Sequence, residues 1–367
     1  MKLHRTTRLA AVLCAGSLAL AACGSDDTAD PGTAASPPAG EEALTGTLAG
    51  AGSSAQGAAM DAWIAGFQTV NEGVTVNYDP VGSGGGREQF LSGGVPFAGS
   101  DSALKEEELA TAVTRCGDGT LVEVPLYISP IAVAFNLPGV ETLNLSADTL
   151  AKIFDQKIGK WNDPAIAADN PDAELPDLAI TPVNRSDDSG TTGNFTDYLA
   201  KAAGAAWPYE ADGVWPVAGG EAGQGTSGVI QATTAAEGAI TYADASQVGD
   251  LGTVAVGVGS EFVEYSPEAA AAVVESSPRV EGRPEGSLVI ELARDTADSG
   301  NYPVVLVSYQ LACTSYEDAN DTALVKGFLS YIASEDGQAA AAEAAGSAPI
   351  SEKLRTDAVA VIDQIGA

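Results

Sequence analysis

Four short segments of the sequence combine glycine with hydroxyl side chains at the junction between a predicted strand and a predicted helix. They read "GAGSSA" (50–55), "VGSGGG" (81–86), "FAGSD" (97–101) and "NRSDDSGTTG" (184–193). A helix N-terminus presents unpaired N–H groups and a partial positive charge, so it binds anions readily. Glycine lets the backbone approach a ligand closely, and Ser and Thr add donors without charge. Together the segments predict an anion site, although each alone is also typical of an ordinary cap or turn.

Strand-like and helix-like segments alternate along the chain and would position these junctions. Apolar residues at helical spacing predict a helix through Met60, Trp63 and Phe67, and Ser102 followed by three acids predicts a helix start. The apolar, β-branched run 121–135 predicts a strand that leaves one domain and enters another. We therefore predict an α/β fold with mostly parallel sheets flanked by helices, whose ligand lies at the carboxyl ends of the strands.

The N-terminus is typical of an export signal. Basic residues precede an apolar run, 9–22, that ends in "LAAC", and the run is too short to span a membrane as a mature helix. This ending resembles a bacterial lipobox, in which Cys23 is lipidated, although an ordinary signal peptide with a chance cysteine is the alternative. We predict a signal peptide over 1–22 and a flexible, Pro-rich tether over 23–43.

The charge and histidine content exclude several classes of partner and site. Fifty acidic and 17 basic residues give a formal net charge of −33, which falls to −36 when three basic residues leave with the signal peptide. Such acidity argues against nucleic acid or an anionic membrane surface as partner. Cleavage also removes His4, the only histidine. A Ser-His-Asp triad, a Cys-His pair and a histidine metal site are therefore excluded from the mature chain.

Two cysteines remain in the mature chain, Cys116 and Cys313. In an exported protein they favour a disulfide over two free thiols.

Nucleotide binding receives little support from the sequence. "GAGSSA" matches G-x-G-x-x-A, but Asp79 lies 27 residues beyond Gly52, farther than the usual ~20 in a dinucleotide fold. An exported lipoprotein also has little access to NAD, and the sequence contains no P-loop motif.

These segments, in this order and together with "KIGKWNDPAI" (157–166) and "GAITY" (238–242), resemble the phosphate-binding lipoproteins of bacterial ABC importers. The likeness runs from Leu44 to the C-terminal helices. It implies a periplasmic-binding-protein-like fold of two α/β domains joined by crossing strands, with one phosphate held in the cleft between them. It also implies a monomer without cofactor or catalytic residues, anchored by its lipid to the outer face of the cell membrane, that delivers phosphate to a membrane permease.

The resemblance also implies which residues form the site. Ser54, Ser83, Arg185, Ser189 and Thr191 would donate from side chains, Ala55 and Gly190 would donate from backbone N–H groups, Asp101 would accept a hydrogen bond, and Asp187 would orient Arg185. Asp101 would select phosphate, which carries a proton near neutral pH, over sulfate, which does not. An N-cap role for Asp101 is the alternative. Asp188 stands where the family commonly has glycine; it would simply be solvated, but it would add a negative charge near the site.

The resemblance places domain I in two pieces, 44–125 and 267–367, with domain II over 126–266 between them. Cys116 and Cys313 would then join the two pieces of domain I. The alternatives are a binding protein for another oxyanion such as sulfate or molybdate, a phosphate-ester hydrolase, and a surface sensor or adhesin that has kept the fold without the ligand.

Overall fold

The computed structural model describes residues 43–367. The predicted signal peptide, the lipidation site at Cys23 and almost all of the predicted tether therefore lie outside the described residues. Within 43–367 no helix is both long and apolar enough to cross a bilayer.

Eleven strands and eleven α-helices alternate through the described residues. The strands are β1 (Gly46–Gly52), β2 (Val74–Asp79), β3 (Phe97–Ser100), β4 (Leu121–Phe135), β5 (Thr142–Leu145), β6 (Thr181–Arg185), β7 (Glu221–Gly223), β8 (Ala239–Asp244), β9 (Gly252–Val258), β10 (Glu261–Val263) and β11 (Val305–Cys313). The helices are α1 (Gly57–Val70), α2 (Ser83–Leu91), α3 (Glu106–Cys116), α4 (Ala147–Phe154), α5 (Pro164–Asp169), α6 (Gly190–Ala202), α7 (Gly225–Ala235), α8 (Pro267–Ser276), α9 (Ala319–Ala333), α10 (Glu335–Ala345) and α11 (Glu352–Ile362).

The strands form one continuous sheet in the order β2-β1-β3-β11-β4-β8-β6-β7, with β9 joining β4, β5 and β10 at the side. Pairing is parallel among β1, β2 and β3, among β6, β7 and β8, and between β5 and β9. The long strands β4 and β11 pair antiparallel with each other and with their neighbours. The predicted α/β architecture is confirmed, and its parallel strands lie at the two ends of the sheet.

β4 joins the two ends of the sheet. Its residues up to Pro130 pair with β11, and those from Ile131 onward pair with β8. All 15 of its residues are buried, as the largely apolar run predicts for a strand covered on both faces.

Apolar spacing determines which face of a helix is buried, and capping residues determine where the helix begins. Met60, Trp63 and Phe67 are buried on one face of α1, as their spacing predicts. Phe67 packs on Phe328 of α9 with ring centroids 5.3 Å apart. Ser266 accepts a hydrogen bond from the third residue of α8, which begins at Pro267. A buried Trp63 and its neighbours each stabilise the fold by about 1.5–3 kcal/mol through area removed from water.

The predicted helix start at Ser102 is wrong, because α3 begins at Glu106. The side chain of Glu108 reaches back and accepts a hydrogen bond from the Lys105 backbone N–H at 2.7 Å, which fixes the first turn there. Upstream, the Leu104 N–H donates to the buried carboxylate of Glu123 at 2.6 Å. Residues 101–105 are therefore a loop, and Asp101 does not cap this helix.

The predicted disulfide between Cys116 and Cys313 is confirmed, with Cα atoms 5.3 Å apart. Cys116 ends α3 and Cys313 ends β11, and both side chains are buried. The bond therefore joins chain segments separated by 197 residues.

We predict that reducing this disulfide lowers the free energy of unfolding by up to ~5 kcal/mol, because a loop of this length loses much entropy when closed in the unfolded chain. Urea unfolding of the oxidised and reduced chain, followed by tryptophan fluorescence, measures the change. The variant with both cysteines changed to alanine, unfolded with and without reductant, is the control and must not respond. Equal midpoints for oxidised and reduced native chain contradict the prediction.

Candidate functional site

Several strand ends bring the four predicted segments together. β1, β2 and β3 run parallel, so the residues that follow them lie at one edge of the sheet. β6 and β7 also run parallel, at the other end of the sheet, so the residues that follow these two strands lie side by side. The helices α1, α2, α6 and α7 begin just after these strands. Residues at these N-termini contact one another, as Ser54 does Thr226 and Gly190 does Ser83, and they bring backbone N–H groups and hydroxyls together.

Asp101 follows β3 and is 3% exposed. Its carboxylate accepts hydrogen bonds from Ser308 at 2.6 Å, from Ser53 at 2.7 Å and from Thr191 at 3.3 Å. Its backbone N–H donates to the Ser83 hydroxyl at 3.1 Å. Burial raises the pKa of the Asp101 carboxyl, and the hydroxyls together with the charge of Arg185 offset part of that rise. Asp101 is thus a buried acceptor that neutral donors surround.

Arg185 is the last residue of β6 and is 3% exposed. Its Nε and Nη2 atoms donate to the two oxygens of Asp187 at 2.9 and 2.5 Å, and Nη2 also donates to Ser54 at 3.2 Å. Burial pushes the pKa of Asp187 upward, but the hydrogen bonds and charge of Arg185 outweigh it, so the pKa lies below its usual value. The ion pair fixes the orientation of the Arg185 guanidinium and adds almost no net charge to the site.

Gly190 begins α6 and makes a close approach that a side chain would prevent. A Cβ atom built on it would lie 2.6 Å from the Ser83 hydroxyl and 2.7 Å from the Asp101 Cβ. Ser189 caps the helix by accepting from the Thr192 N–H. The Asn194 amide donates to the backbone oxygens of Asp101 and Gly190 at 2.7 and 2.9 Å. These contacts join the start of α6 to the loop after β3.

Ser54 lies against the start of α7. Its hydroxyl accepts from the Thr226 N–H at 3.1 Å and lies 3.1 Å from the Thr226 hydroxyl. The Gly225 N–H donates to Asp187 at 3.0 Å. The Ala55 N–H, a predicted ligand donor, here donates to Ser53 at 3.0 Å. The structure thus brings all nine predicted residues into one region, namely Ser54, Ala55, Ser83, Asp101, Arg185, Asp187, Ser189, Gly190 and Thr191.

Residues that the sequence analysis missed also contact this region, among them Ser53, Thr226, Gln247 and Ser308. Thr226 had a local signal, because "GQGTSG" (223–228) is a fifth glycine- and hydroxyl-rich junction between strand and helix. Ser53 directly precedes a predicted residue. Gln247 donates to the Ser54 and Ala55 carbonyls at 3.0 Å each. Gln247 and Ser308 reach the site through long-range contacts that leave no pattern in the sequence.

Asp188 is not simply solvated. Its carboxylate lies 3.3 Å from the guanidinium of Arg87, whose side chain is 2% exposed, and 4.0 Å from the Lys105 ammonium. Arg87 also pairs with Glu108 at 3.1 Å. The Gly84 N–H at the start of α2 donates to the Asp188 carbonyl at 3.0 Å. Two cations therefore neutralise the negative charge of Asp188, and the residue joins α2 to the loop before α6.

Asp244 ends β8 and is fully buried. It accepts from Tyr127 of β4 at 3.1 Å and from the Ser246 N–H at 3.0 Å, so it shapes the turn that carries Gln247. Burial raises the pKa of Asp244 to about 6, even though the hydrogen bonds from Ser246 act to lower it. The Asp244 carboxylate therefore contributes to the site through the turn that carries Gln247. The sequence predicted no role for it.

The arrangement suits a small anion that carries a proton. Helix N-termini and hydroxyls supply donors, Arg185 supplies a cation that Asp187 balances, and Asp101 supplies one acceptor. An acceptor beside an anion is unfavourable unless the anion can donate a hydrogen bond to it. Among residues 43–367 no group of three or more His, Cys, Asp or Glu side chains is arranged to hold a metal ion.

Comparison with known proteins gives consistent matches. The family model described as a PBP superfamily domain matches residues 37–336. The phosphate-binding protein PstS3 of Mycobacterium bovis is 36% identical over 343 residues, which cover 90% of each chain. Among solved structures, the periplasmic phosphate-binding protein PfluDING has a TM-score of 0.69 at 22% identity, over 86% of this chain and 93% of that one. A phosphate-bound substrate-binding protein from Clostridium perfringens has a TM-score of 0.59 at 20% identity, over 82% and 98%. The two structural matches show the fold.

We predict that Asp244 makes stability fall as pH rises through its titration range. Its pKa is raised on folding, from 3.8 to about 6, so the native state binds this proton more tightly than the unfolded chain does. Ionisation therefore costs stability between about pH 4 and 6, by about 3 kcal/mol in total. Urea unfolding of the native chain and of the Asp244→Asn variant at several pH values measures this loss of stability. The other titratable groups are the same in both chains, so the difference between them reports Asp244. A stability difference that is constant across this range contradicts the prediction.

Proposed function

Because this chain belongs to the periplasmic-binding-protein superfamily and, within it, to the family of PstS phosphate-binding proteins, we propose that it binds inorganic phosphate and delivers it to an ABC-type membrane permease. One observation carries the proposal. The buried acceptor Asp101 lies among neutral donors and beside the paired Arg185, which matches an anion that both accepts and donates hydrogen bonds. Phosphate near neutral pH has both properties, whereas sulfate lacks the proton.

In this proposal the nine predicted residues share the work of holding the ligand. Hydroxyl groups donate to the phosphate oxygens from Ser54, Ser83, Ser189 and Thr191. Backbone N–H groups donate to them from Ala55 and Gly190. Arg185, held by Asp187, donates to the same oxygens. Asp101 accepts the hydrogen bond from the ligand's P–OH group. The dipoles of four helix N-termini add partial positive charge without a formal cation.

The proposal includes the division into two domains, with domain I formed by 44–125 and 267–367 and domain II by 126–266. β4 crosses between the two pairing partners near Ile131 and supports this division. Contacts such as Ser54–Thr226 and Arg87–Asp188 would then join the domains across the cleft. Rotation about the crossing strands would break these contacts and release the ligand.

The proposed location is the outer face of the cell membrane. A lipid on Cys23 would hold the chain there through the Pro-rich segment that follows it, and the acidic body would remain in the aqueous phase as a monomer. This position keeps the protein close to the permease, its proposed partner, without requiring contact between the folded body and the lipid surface.

We do not propose an enzyme. The relatives are named as binding proteins, and the mature sequence lacks histidine. The alternative of a phosphate-ester hydrolase predicts turnover of a chromogenic phosphate ester, with or without added divalent metal. Turnover that the variant Asp101→Asn abolishes would favour that alternative. The other rival, a binder of sulfate or molybdate, is addressed by titration.

We expect the phosphate-stripped mature chain to bind one phosphate in calorimetric titration near neutral pH and to bind sulfate and molybdate far more weakly. A sulfate or molybdate affinity equal to or higher than the phosphate affinity would keep the fold and overturn the ligand. Absence of binding to any of the three anions would overturn the proposed function.

We also predict that Asp101→Asn lowers the ratio of phosphate to sulfate affinity by roughly ten- to a hundredfold, because the amide can donate where the carboxylate only accepts. Parallel titrations with the two anions measure the ratio. The matched control is Asp172→Asn, which makes the same change at an exposed position and is expected to leave the ratio unaltered. If Asp101→Asn retains the native ratio, Asp101 does not select the ligand.

A further inference from the structure

The carboxylate of Asp101 has an uneven set of hydrogen bonds. Oδ1 accepts one short bond from Ser308 at 2.6 Å. Oδ2 accepts from Ser53 at 2.7 Å and, more weakly, from Thr191 at 3.3 Å. Thr191 belongs to the proposed ligand cage, so its hydroxyl is available to turn toward an anion. If Thr191 turns, Oδ2 gains an acceptor position for a ligand proton, whereas Oδ1 keeps its bond to Ser308.

Ser308 reaches Asp101 from a distant part of the chain. It lies in β11 and is fully buried. The pairing of β11 with β4 shifts register between Ser308 and Tyr309, and such irregularities commonly re-aim a side chain. Ser308 is separated from Asp101 by 207 residues. The only hydrogen-bond partner of its hydroxyl among the described residues is this carboxylate.

The charged and titratable groups around Asp101 are few. Arg185 from β6 attracts its negative charge. Tyr78 from β2 and Tyr127 from β4 also sense that charge, and burial raises the pKa of both phenols, so both are neutral at ordinary pH. Burial favours the protonated form of Asp101, and the hydrogen bonds from Ser308 and Ser53 are the largest effects that oppose it. The hydroxyls of Ser308 and Ser53 therefore favour the ionised form of Asp101, which only accepts hydrogen bonds.

We propose that Ser308, assisted by Ser53, is a specificity-determining positioning residue that holds Asp101 as an ionised acceptor with Oδ2 directed at the ligand. This inference rests on the proposed function. If Asp101 were protonated, its O–H would donate to an anion, and sulfate would then be accepted as readily as phosphate. Ser308 does not contact the ligand in this proposal; it acts through Asp101 alone.

The test uses the mature chain with Ser308→Ala, Ser308→Thr and Thr233→Val. Thr233→Val is the matched control, because it removes a buried hydroxyl in α7 that bonds only to the Val229 carbonyl. Each variant is titrated with phosphate and with sulfate at about pH 5.5 and about pH 8.5, on either side of neutrality. Comparison with the native chain at the same pH removes the effect of phosphate's own ionisation.

We expect Ser308→Ala to bind sulfate at the lower pH and to lose roughly tenfold or more of its phosphate-to-sulfate ratio there, with a smaller loss at the higher pH. Ser308→Thr keeps a hydroxyl and is expected to restore the native ratio. Thr233→Val is expected to match the native chain at both pH values. A purely structural role for Ser308 predicts weaker binding of both anions together with an unchanged ratio, and that result would overturn the proposal.

A second measurement separates this inference from the proposed function. In the ligand-free chain, ¹³C-labelled aspartate carboxyls are followed by NMR against pH, with Asp101→Asn identifying the Asp101 signal. Ser308→Ala is expected to move the Asp101 titration to higher pH relative to the native chain. An unmoved titration overturns the proposal even if phosphate binds. If the native chain binds no phosphate, the proposed function fails, while a moved titration still supports control of Asp101 by Ser308.

Discussion

Burial of one carboxylate among neutral donors is the constraint on which the rest of this structure depends. Asp101 is 3% exposed and forms no ion pair with any residue of 43–367; its carboxylate accepts from the hydroxyls of Ser53, Thr191 and Ser308. A buried charge in such surroundings is stable only if its hydrogen bonds are complete. Those donors come from the residue after β1, from α6 and from β11, so three distant parts of the chain must meet at one point. The close approach at Gly190 follows from the same requirement.

The site handles charge locally, independently of the strongly acidic chain. Arg185 is paired with Asp187 and Asp188 with Arg87, so these charges near the ligand region have ionic partners, whereas Asp101 is held by hydroxyl donors. Exposed acids beyond about 8 Å are largely screened at physiological salt. What remains for an anion is the field of the helix N-termini and the hydroxyl dipoles, both fixed by the backbone. A net charge of −33 therefore does not conflict with an anion site.

The sequence predicted those features whose causes are local or strongly patterned. The buried run of β4, the buried face of α1, the Cys116–Cys313 bond and the convergence of the four segments follow from periodicity, compartment and strand ends. The start of α3 was missed because the sequence allows two helix starts. Ser102 could cap the helix, but the structure instead uses the hydrogen bond from the Lys105 N–H to Glu108. Gln247 and Ser308 were missed because their contacts depend on chain segments about 200 residues apart. Asp188 was recognised as unusual, but its partner Arg87 is evident only in three dimensions.

The shared strand β4 has a consequence for how the molecule comes apart. Its first residues complete the ladder with β11 and its last residues complete the ladder with β8. If either end of the sheet melted, β4 would lose the backbone partners on that side and expose largely apolar side chains, and its unpaired edge would destabilise the other end. The two ends of the sheet are therefore thermodynamically coupled. The molecule should lose its structure in one cooperative step, even though the proposed function requires its two ends to move against each other.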